Sequence, residues 1–184
     1  LDGKLDGAAT LLDEALAKPA AKDVQLLLDR VALARRLGKR DEAVRWAEKA
    51  VEVAPKSNDA LAALASALTD AARPAQAVVR WLELFDRQPE HMSVFSGLAD
   101  AIGRLRSAEL SDDASGPAAA ALAGDLSAEA GKSEAAAFAL AALRYHRGEF
   151  GAAISALRPL LQTHPKETRI HTLLALSAHW LSHA

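Results

Sequence analysis

The sequence predicts an all-α protein, an α-solenoid of antiparallel helix hairpins with about ten helices. Its 184 residues include 44 alanines and 29 leucines but only 4% aromatic residues. This mixture favours closely packed helices over strands. Apolar residues recur at three- and four-residue spacing between short breaks. Landmarks also recur 34 residues apart, as Pro55 and Pro89 or Ala43 and Ala77 do, and such a period indicates stacked hairpins.

The first five helices are predicted at 5–18, 22–37, 40–54, 57–71 and 74–87. Gly38 separates the second helix from the third, and Asp41 is expected to cap the third by accepting hydrogen bonds from its free amides. Asn58 is expected to cap the fourth helix in the same way. Pro74 suits the first turn of the fifth, where an amide has no internal partner. Pro55 follows the third helix because its ring ends a helix.

The last five helices are predicted at 91–107, 117–130, 133–147, 150–163 and 167–182. Ser133 is expected to cap the helix that it precedes. Ala77 and Ala153 lie 76 residues apart, eight more than two regular repeats. The excess is expected near 106–117, because this Ser-, Asp-, Gly- and Pro-rich segment is typical of a loop. Two interpretations stay open for this insertion, a partner-specific contact and tolerated drift in loop length.

Three segments of the chain, 24–57, 58–91 and 134–167, share one repeat register. The second matches best, with Leu61, Leu64, Ala65, Leu68, Ala77, Trp81, Leu84 and Pro89. This pattern resembles the tetratricopeptide repeat (TPR), a helix–turn–helix unit of 34 residues, and the chain looks like a bacterial-type helical repeat protein. The remaining segments fit as a half repeat at 1–20, an irregular repeat at 92–133, and a C-terminal half repeat or capping helix at 168–184. The whole chain, 1–184, is therefore expected to form a single TPR-like array.

The resemblance implies a right-handed superhelix in which the first helix of each repeat lines a concave groove. The expected partner-binding residues are the solvent-facing ones: Arg35, Arg36, Asp59, Ser66, Asp70, Asp100, Arg104, Phe138 and Tyr145. The same positions include Gln25, Leu28, Ala32, Ala62, Thr69, Ser93, Ser96, Gly103, Ala142 and His146. Arginine suits carboxylates, the aspartates supply the opposite sign, and Phe138 and Tyr145 are candidate aromatic anchors.

Several function classes are disfavoured by the composition and by the motifs. The net charge of −2 does not favour nucleic acid, which attracts basic surfaces. The absence of cysteine excludes disulfides and thiolate metal sites. The sequence has no phosphate loop and no nucleophile elbow, so we expect no enzymatic activity and no cofactor. No apolar run approaches the ~20 residues of a membrane span, so membrane insertion is not expected.

Histidine and tryptophan residues are further candidates for a binding site. His179 and His183 share a helix face and could offer two imidazoles to a metal. No carboxylate is nearby in sequence, so exposed histidines without a metal site are expected. Trp81 is expected in the core because it occupies the position that packs between helices in the resembled repeat. Trp46 is expected to be partly exposed.

The function expected is a non-catalytic scaffold that binds a peptide or helix of a partner protein in the groove. One alternative is a helical accessory region of a larger bacterial enzyme or of an exopolysaccharide or secretion assembly. Another is self-association through open repeat ends. The initial Leu1 and the missing first helix favour an excerpt from a longer protein over a processed signal sequence. The compartment, bacterial cytoplasm or periplasm, stays open.

Overall fold

The computed structural model describes residues 7–8, 10–14, 23–88, 92–110 and 115–183. Residues 7–8 and 10–14 are helical, so most of the predicted half repeat at 1–20 lies outside the described residues. The other helices are α1 (Val24–Arg36), α2 (Arg40–Val53), α3 (Asn58–Asp70), α4 (Pro74–Arg87), α5 (Met92–Glu109), α6 (Ser115–Glu129), α7 (Glu134–His146), α8 (Phe150–Thr163) and α9 (Thr168–Leu181). The all-α prediction is confirmed.

The caps of the helices differ in part from the sequence predictions. Ser133 caps α7 as predicted, since its side chain accepts a hydrogen bond from the amide of Ala136. The cap of α3 is Ser57 rather than Asn58, because Asn58 already lies inside the helix. Asp41 does not cap α2, which has no side-chain cap. Its carboxylate instead accepts a hydrogen bond from Arg73 at 2.6 Å.

One hairpin turn recurs in three repeats with the same backbone geometry. Gly38, Ala72 and Gly148 have φ angles of 69°, 57° and 79°, so each adopts the left-handed conformation that ends a helix. The amide of the following residue donates back into the helix, as Arg73 N does to Leu68 O at 3.0 Å. Of these three residues only Ala72 has a Cβ, and a Cβ disfavours the left-handed conformation.

The contacts divide the chain into two compact units, Leu1–Leu84 and Phe85–Ala184. In the first, unit 1, α1 packs against α2 and also against α3, the first helix of the next hairpin. Small side chains lie at the crossings, where Ala34, Ala43 and Ala47 are fully buried. Alanine therefore serves close helix packing in this unit, as the composition predicted.

In unit 2, α7 is the central helix and contacts α5, α6, α8 and α9. Three phenylalanine rings form a chain within it, because Phe95 meets Phe85 at 4.6 Å and Phe138 at 5.0 Å between ring centroids. Both contacts are edge-to-face, an arrangement that aromatic pairs prefer. Helix α7 is consequently buried over most of its length.

The extra residues predicted near 106–117 lie partly in helix. Helix α5 runs to Glu109 and has 18 residues, whereas the first helices α1, α3 and α7 have 13 each. Helix α6 then begins at Ser115, and residues 111–114 lie outside the described residues. The irregular repeat thus differs from its neighbours in the length of its first helix as well as in its connection.

Candidate functional site

The exposed faces of α1 and α3 in unit 1 hold five of the predicted partner-binding residues. Arg35 on α1 donates its Nε proton to Asp70 Oδ2 on α3 at 2.6 Å, and both side chains are partly exposed. The two residues were predicted as separate contacts for a partner. They instead bind each other across the two helices, so a partner meets them as a neutral pair.

Two other predicted residues of unit 1, Arg36 and Asp59, are exposed. No hydrogen bond or ion pair joins the side chain of either residue to the residues that the structure describes. Asp59 lies in the first turn of α3, where the helix dipole stabilises a carboxylate. Ser66 is half-buried between the charges. We call the surface made by Ala32, Arg35, Arg36, Asp59, Ala62, Ser66 and Asp70 the first-helix face of unit 1.

In unit 2 the predicted charges again bind each other. Arg104 donates to Asp100 one turn away on α5 at 3.2 Å, and both are exposed. Tyr145 is half-buried near the end of α7, with its ring 5.8 Å from Phe150. His146 lies against Gly103 on α5, since a Cβ at that glycine would lie 3.4 Å from the histidine Nε2. Burial lowers the pKa of His146 below its ordinary value.

The prediction that Phe138 is an exposed aromatic anchor is wrong. Its side chain is only 1% exposed, because its ring packs against Phe95 in the core of unit 2. Ala142, one turn later, is buried too. Thr69 in unit 1 is also buried, with its hydroxyl donating to Ala65 O at 2.9 Å. These positions belong to helix packing rather than to a partner-binding surface.

Sequence reasoning missed Arg169, at the start of α9. Its guanidinium donates to Ser96 Oγ on α5 at 2.7 Å, a contact between residues 73 positions apart. Helices α5 and α9 both pack on α7, so this hydrogen bond links the two outer first helices of unit 2. The link and the burial of Phe138 together leave little of α7 for a partner.

Arg30 was also missed, although it is the most buried charged residue in the described part of unit 1. Its side chain is 4% exposed and donates to Asp13 at 2.7 Å and to Glu42. The pKa of Arg30 is raised, chiefly by its hydrogen bond to Asp13, so the guanidinium stays charged. Its Nη1 is buried and has no hydrogen-bond partner among the residues described. The group ties the helical segment at 10–14 to α1 and α2.

The structure describes the histidines and tryptophans that the sequence singled out. The rings of His179 and His183 lie 4.5 Å apart. Within the described ranges no group of three or more His, Cys, Asp or Glu could hold a metal ion. Trp81 is buried as predicted, Trp46 is half-buried as predicted, and Trp180 is 49% exposed.

The fold is similar to that of solved TPR structures. A tetratricopeptide repeat protein from Parabacteroides merdae ATCC 43184 matches with a TM-score of 0.54 and 21% identity, over 98% of this chain and 68% of that chain. The chain has a TPR-like fold. Two further matches are MamA 41-end from Desulfovibrio magneticus RS-1 (TM-score 0.46, 17% identity, 87% of this chain and 85% of that chain) and a thermophilic TPR protein from Thermus thermophilus (TM-score 0.44, 18% identity, 84% and 98%).

The likeness concerns the fold alone, because identity this low carries no functional residue from one TPR-like chain to another. No protein-family model and no curated protein matches the sequence. None of the helices in the described part of this TPR-like chain has the length and apolar character that a membrane span requires.

Proposed function

We propose that this TPR-like protein is a non-catalytic scaffold that binds a peptide or helix of a partner protein on the first-helix face of unit 1. The observation that carries the proposal is the pattern of exposure on this face. Charged side chains surround small ones: Arg36 and Asp59 are exposed and unpaired among the described residues, whereas Ala62 and Ser66 between them are half-buried. Small side chains let a partner backbone approach the helices closely.

Binding would begin from a surface whose geometry is already formed. Arg35 and Asp70 hold each other at 2.6 Å, so they lose little conformational freedom when a partner arrives. The Nε of Arg35 is engaged, which leaves its terminal nitrogens for a carboxylate or carbonyl of the partner. Arg36 and Asp59 then set the register of the bound segment through their opposite charges.

The experiment is affinity capture with charge-reversed baits, read by quantitative mass spectrometry. The test bait carries Arg36→Glu and Asp59→Lys on the first-helix face of unit 1. The control bait carries Arg45→Glu and Glu52→Lys, two exposed residues of the second helix α2. We expect a partner of the wild-type protein to be retained by the control and lost by the test bait. Retention by the test bait, or loss from both, would contradict the proposal.

A second candidate function, self-association, is favoured by the apolar side chains exposed on α9. Trp180 and Leu181 are about half exposed, and Leu176 on the same helix is exposed as well. Burying such side chains against a second copy would remove apolar surface from water. Light scattering over a dilution series tests this, with Trp180→Ser expected to shift the chain toward monomer. A wild-type chain that stays monomeric at high concentration would exclude it.

The accessory-region alternative concerns the protein that contains this chain. A helical region serving a larger bacterial enzyme or an exopolysaccharide or secretion assembly would use the same first-helix face for an intramolecular or assembly contact. The length of the parent reading frame separates this alternative from a free-standing scaffold.

A further inference from the structure

Unit 2 contains a slot of about 490 Å³ between α8 and the end of α6 with the turn that follows it, residues 127–133. Its floor is a face of α7 that carries Ala137, Leu140 and Arg144, and its walls include Ala156 and Leu160 of α8. Phe138, which packs toward α5, does not line it. A cavity of this size lies in the range of small-ligand sites, which combine apolar walls with a few polar groups.

The slot has a smaller equivalent in unit 1, and the sequence explains the difference in size. Between α2 and α4 lies a slot of about 210 Å³ over α3. Its walls carry Glu48 and Arg80. In the register of the repeats, Arg80 corresponds to Ala156, which lines the second slot. A long charged side chain narrows the first slot at this position, whereas alanine leaves the second slot wider.

The floor of the two slots differs by one charge. Leu64 and Leu68 form the floor in unit 1, and Leu68 is only 3% exposed. The equivalent residues in unit 2 are Leu140 and Arg144. An arginine thus stands where the repeat 58–91 places a core leucine and the repeat 24–57 places the buried Ala34. Its side chain makes a long hydrogen bond, from Nη1 to the carbonyl of Ala152 at 3.4 Å. The guanidinium therefore has no carboxylate partner among the described residues.

The other charges at the slot lie near its opposite end and are already paired. Lys132 binds Glu129 at 3.1 Å, and Glu134 binds His164 at 2.7 Å. Glu134 is ten residues before Arg144 on α7, so the two side chains start about 15 Å apart along the helix axis. An anion at Arg144 would therefore meet little repulsion from Glu134.

We propose that this slot binds an aliphatic monocarboxylate, with the carboxylate on Arg144 and the hydrocarbon chain over Leu140, Ala156 and Leu160. The planar guanidinium fits a carboxylate through two parallel hydrogen bonds. Ser127, Ser133 and Thr163 also line the slot. The apolar side chains beside Arg144 favour an anion that carries a hydrocarbon chain over one that is hydrated on all sides, such as phosphate. The site is separate from the first-helix face of unit 1 and adds a ligand to the proposed scaffold.

The probe is sodium hexanoate, titrated into the full chain and followed by amide chemical shifts in NMR. We expect saturable shifts at the amides of Ala137, Leu140 and Ala156, with dissociation constants of about 1 mM or weaker for so small a ligand. Hexylammonium chloride and sodium acetate serve as ligand controls, because the first reverses the charge and the second lacks the chain. Both are expected to shift these amides without saturation.

Two substitutions test the two halves of the site. Arg144→Leu installs the residue found at the equivalent place in unit 1, and it should weaken hexanoate binding about tenfold. Ala156→Arg narrows the slot as Arg80 does in unit 1, and it should abolish binding while Arg144 remains. The control Arg158→Leu alters an exposed arginine of α8 and should leave binding unchanged. Equal binding of hexanoate and hexylammonium, no saturable shift at the slot, or wild-type binding by both Arg144→Leu and Ala156→Arg would overturn the proposal.

Discussion

Arg35 and Asp70 bind each other through a 2.6 Å hydrogen bond between α1 and α3, with 39% and 38% of their side chains exposed. The residues are 35 positions apart, and each lies near the end of a first helix. Their contact joins two neighbouring hairpins of unit 1 at the surface. The pair orders the first-helix face more than it stabilises the fold, because solvent screens an exposed ion pair.

Removing the Arg35–Asp70 pair should therefore cost little stability. We expect Arg35→Ala to lower the free energy of unfolding by less than about 1 kcal/mol. Urea denaturation of both single variants and of the Arg35→Ala, Asp70→Ala double variant gives the coupling energy. A coupling above about 2 kcal/mol would mean that the pair holds the hairpins together.

Replacing Arg30 should cost more, because this arginine is buried. Arg30→Met keeps most of the volume but removes the guanidinium that donates to Asp13 and Glu42, and it leaves Glu42 only the long hydrogen bond from Trp46 Nε1 at 3.4 Å. We expect a loss of about 1–3 kcal/mol in the free energy of unfolding. Amides at 10–14 should also exchange hydrogen faster, since Asp13 is then released from α1. Unchanged exchange at 10–14 would show that the arginine does not secure this segment.

The recurring hairpin turn predicts opposite effects for two matched substitutions. Ala72→Gly removes a Cβ from a residue with φ of 57° and should raise the free energy of unfolding by about 0.5–1 kcal/mol. Gly148→Ala adds a Cβ at φ of 79° and should lower it by about 1 kcal/mol. Thermal denaturation of the two variants and the wild type measures both changes in stability. Changes of the same sign would contradict the shared turn geometry.

The burial of Phe138 predicts that it stabilises unit 2. Phe138→Ala should cost about 3–5 kcal/mol, the usual loss for a buried phenylalanine. Tyr145→Ala, at the half-buried end of the same helix, should cost less than about 2 kcal/mol. Urea denaturation gives the free energy of unfolding of both variants. If Phe138→Ala cost no more than Tyr145→Ala, the ring would not belong to the core.

The bond between Glu134 and His164 predicts a dependence of stability on pH. Hydrogen bonds from His164 and then Thr163 lower the pKa of Glu134 below its ordinary value of 4.5. A carboxyl with a lowered pKa stabilises the fold above its unfolded pKa and loses that effect as pH falls through its folded pKa. The stability advantage of the wild type over Glu134→Gln should therefore shrink as the pH falls below the ordinary pKa of the carboxyl and through its lowered pKa in the folded protein. A difference in stability that does not change with pH would contradict this prediction. The control is the same pair of proteins carrying His164→Gln as well, in which the difference should change less with pH.

The sequence predicted the helices well because their limits depend on nearby residues. The bounds of 74–87 and 150–163 agree with α4 and α8, and in α4 the proline at position 74 marks the start. The 34-residue period likewise predicted Gly38 and Gly148 in equivalent places. Local signals were less reliable for choosing among neighbouring capping residues, as Ser57 and Asn58 illustrate.

The candidate site was predictable only in part, because exposure depends on distant neighbours. Helical spacing placed Phe138 on an outer face, but Phe95 from another helix covers it. Spacing also could not pair Arg35 with Asp70, or Arg169 with Ser96, since both contacts join separate hairpins. The unusual position of Arg144 could have been predicted from the sequence, because it aligns with the apolar Leu68 in the repeat register.

The central claim, that the first-helix face of unit 1 binds a protein partner, is tested most directly by site-specific photo-crosslinking. A benzoylphenylalanine replaces Ser66 on this face, or Arg45 on α2 as the control, in the full chain. The partner captured by the wild-type protein should crosslink from position 66 and not from position 45. A crosslink from position 45 alone, or none from position 66 while the partner is still captured, would contradict the account.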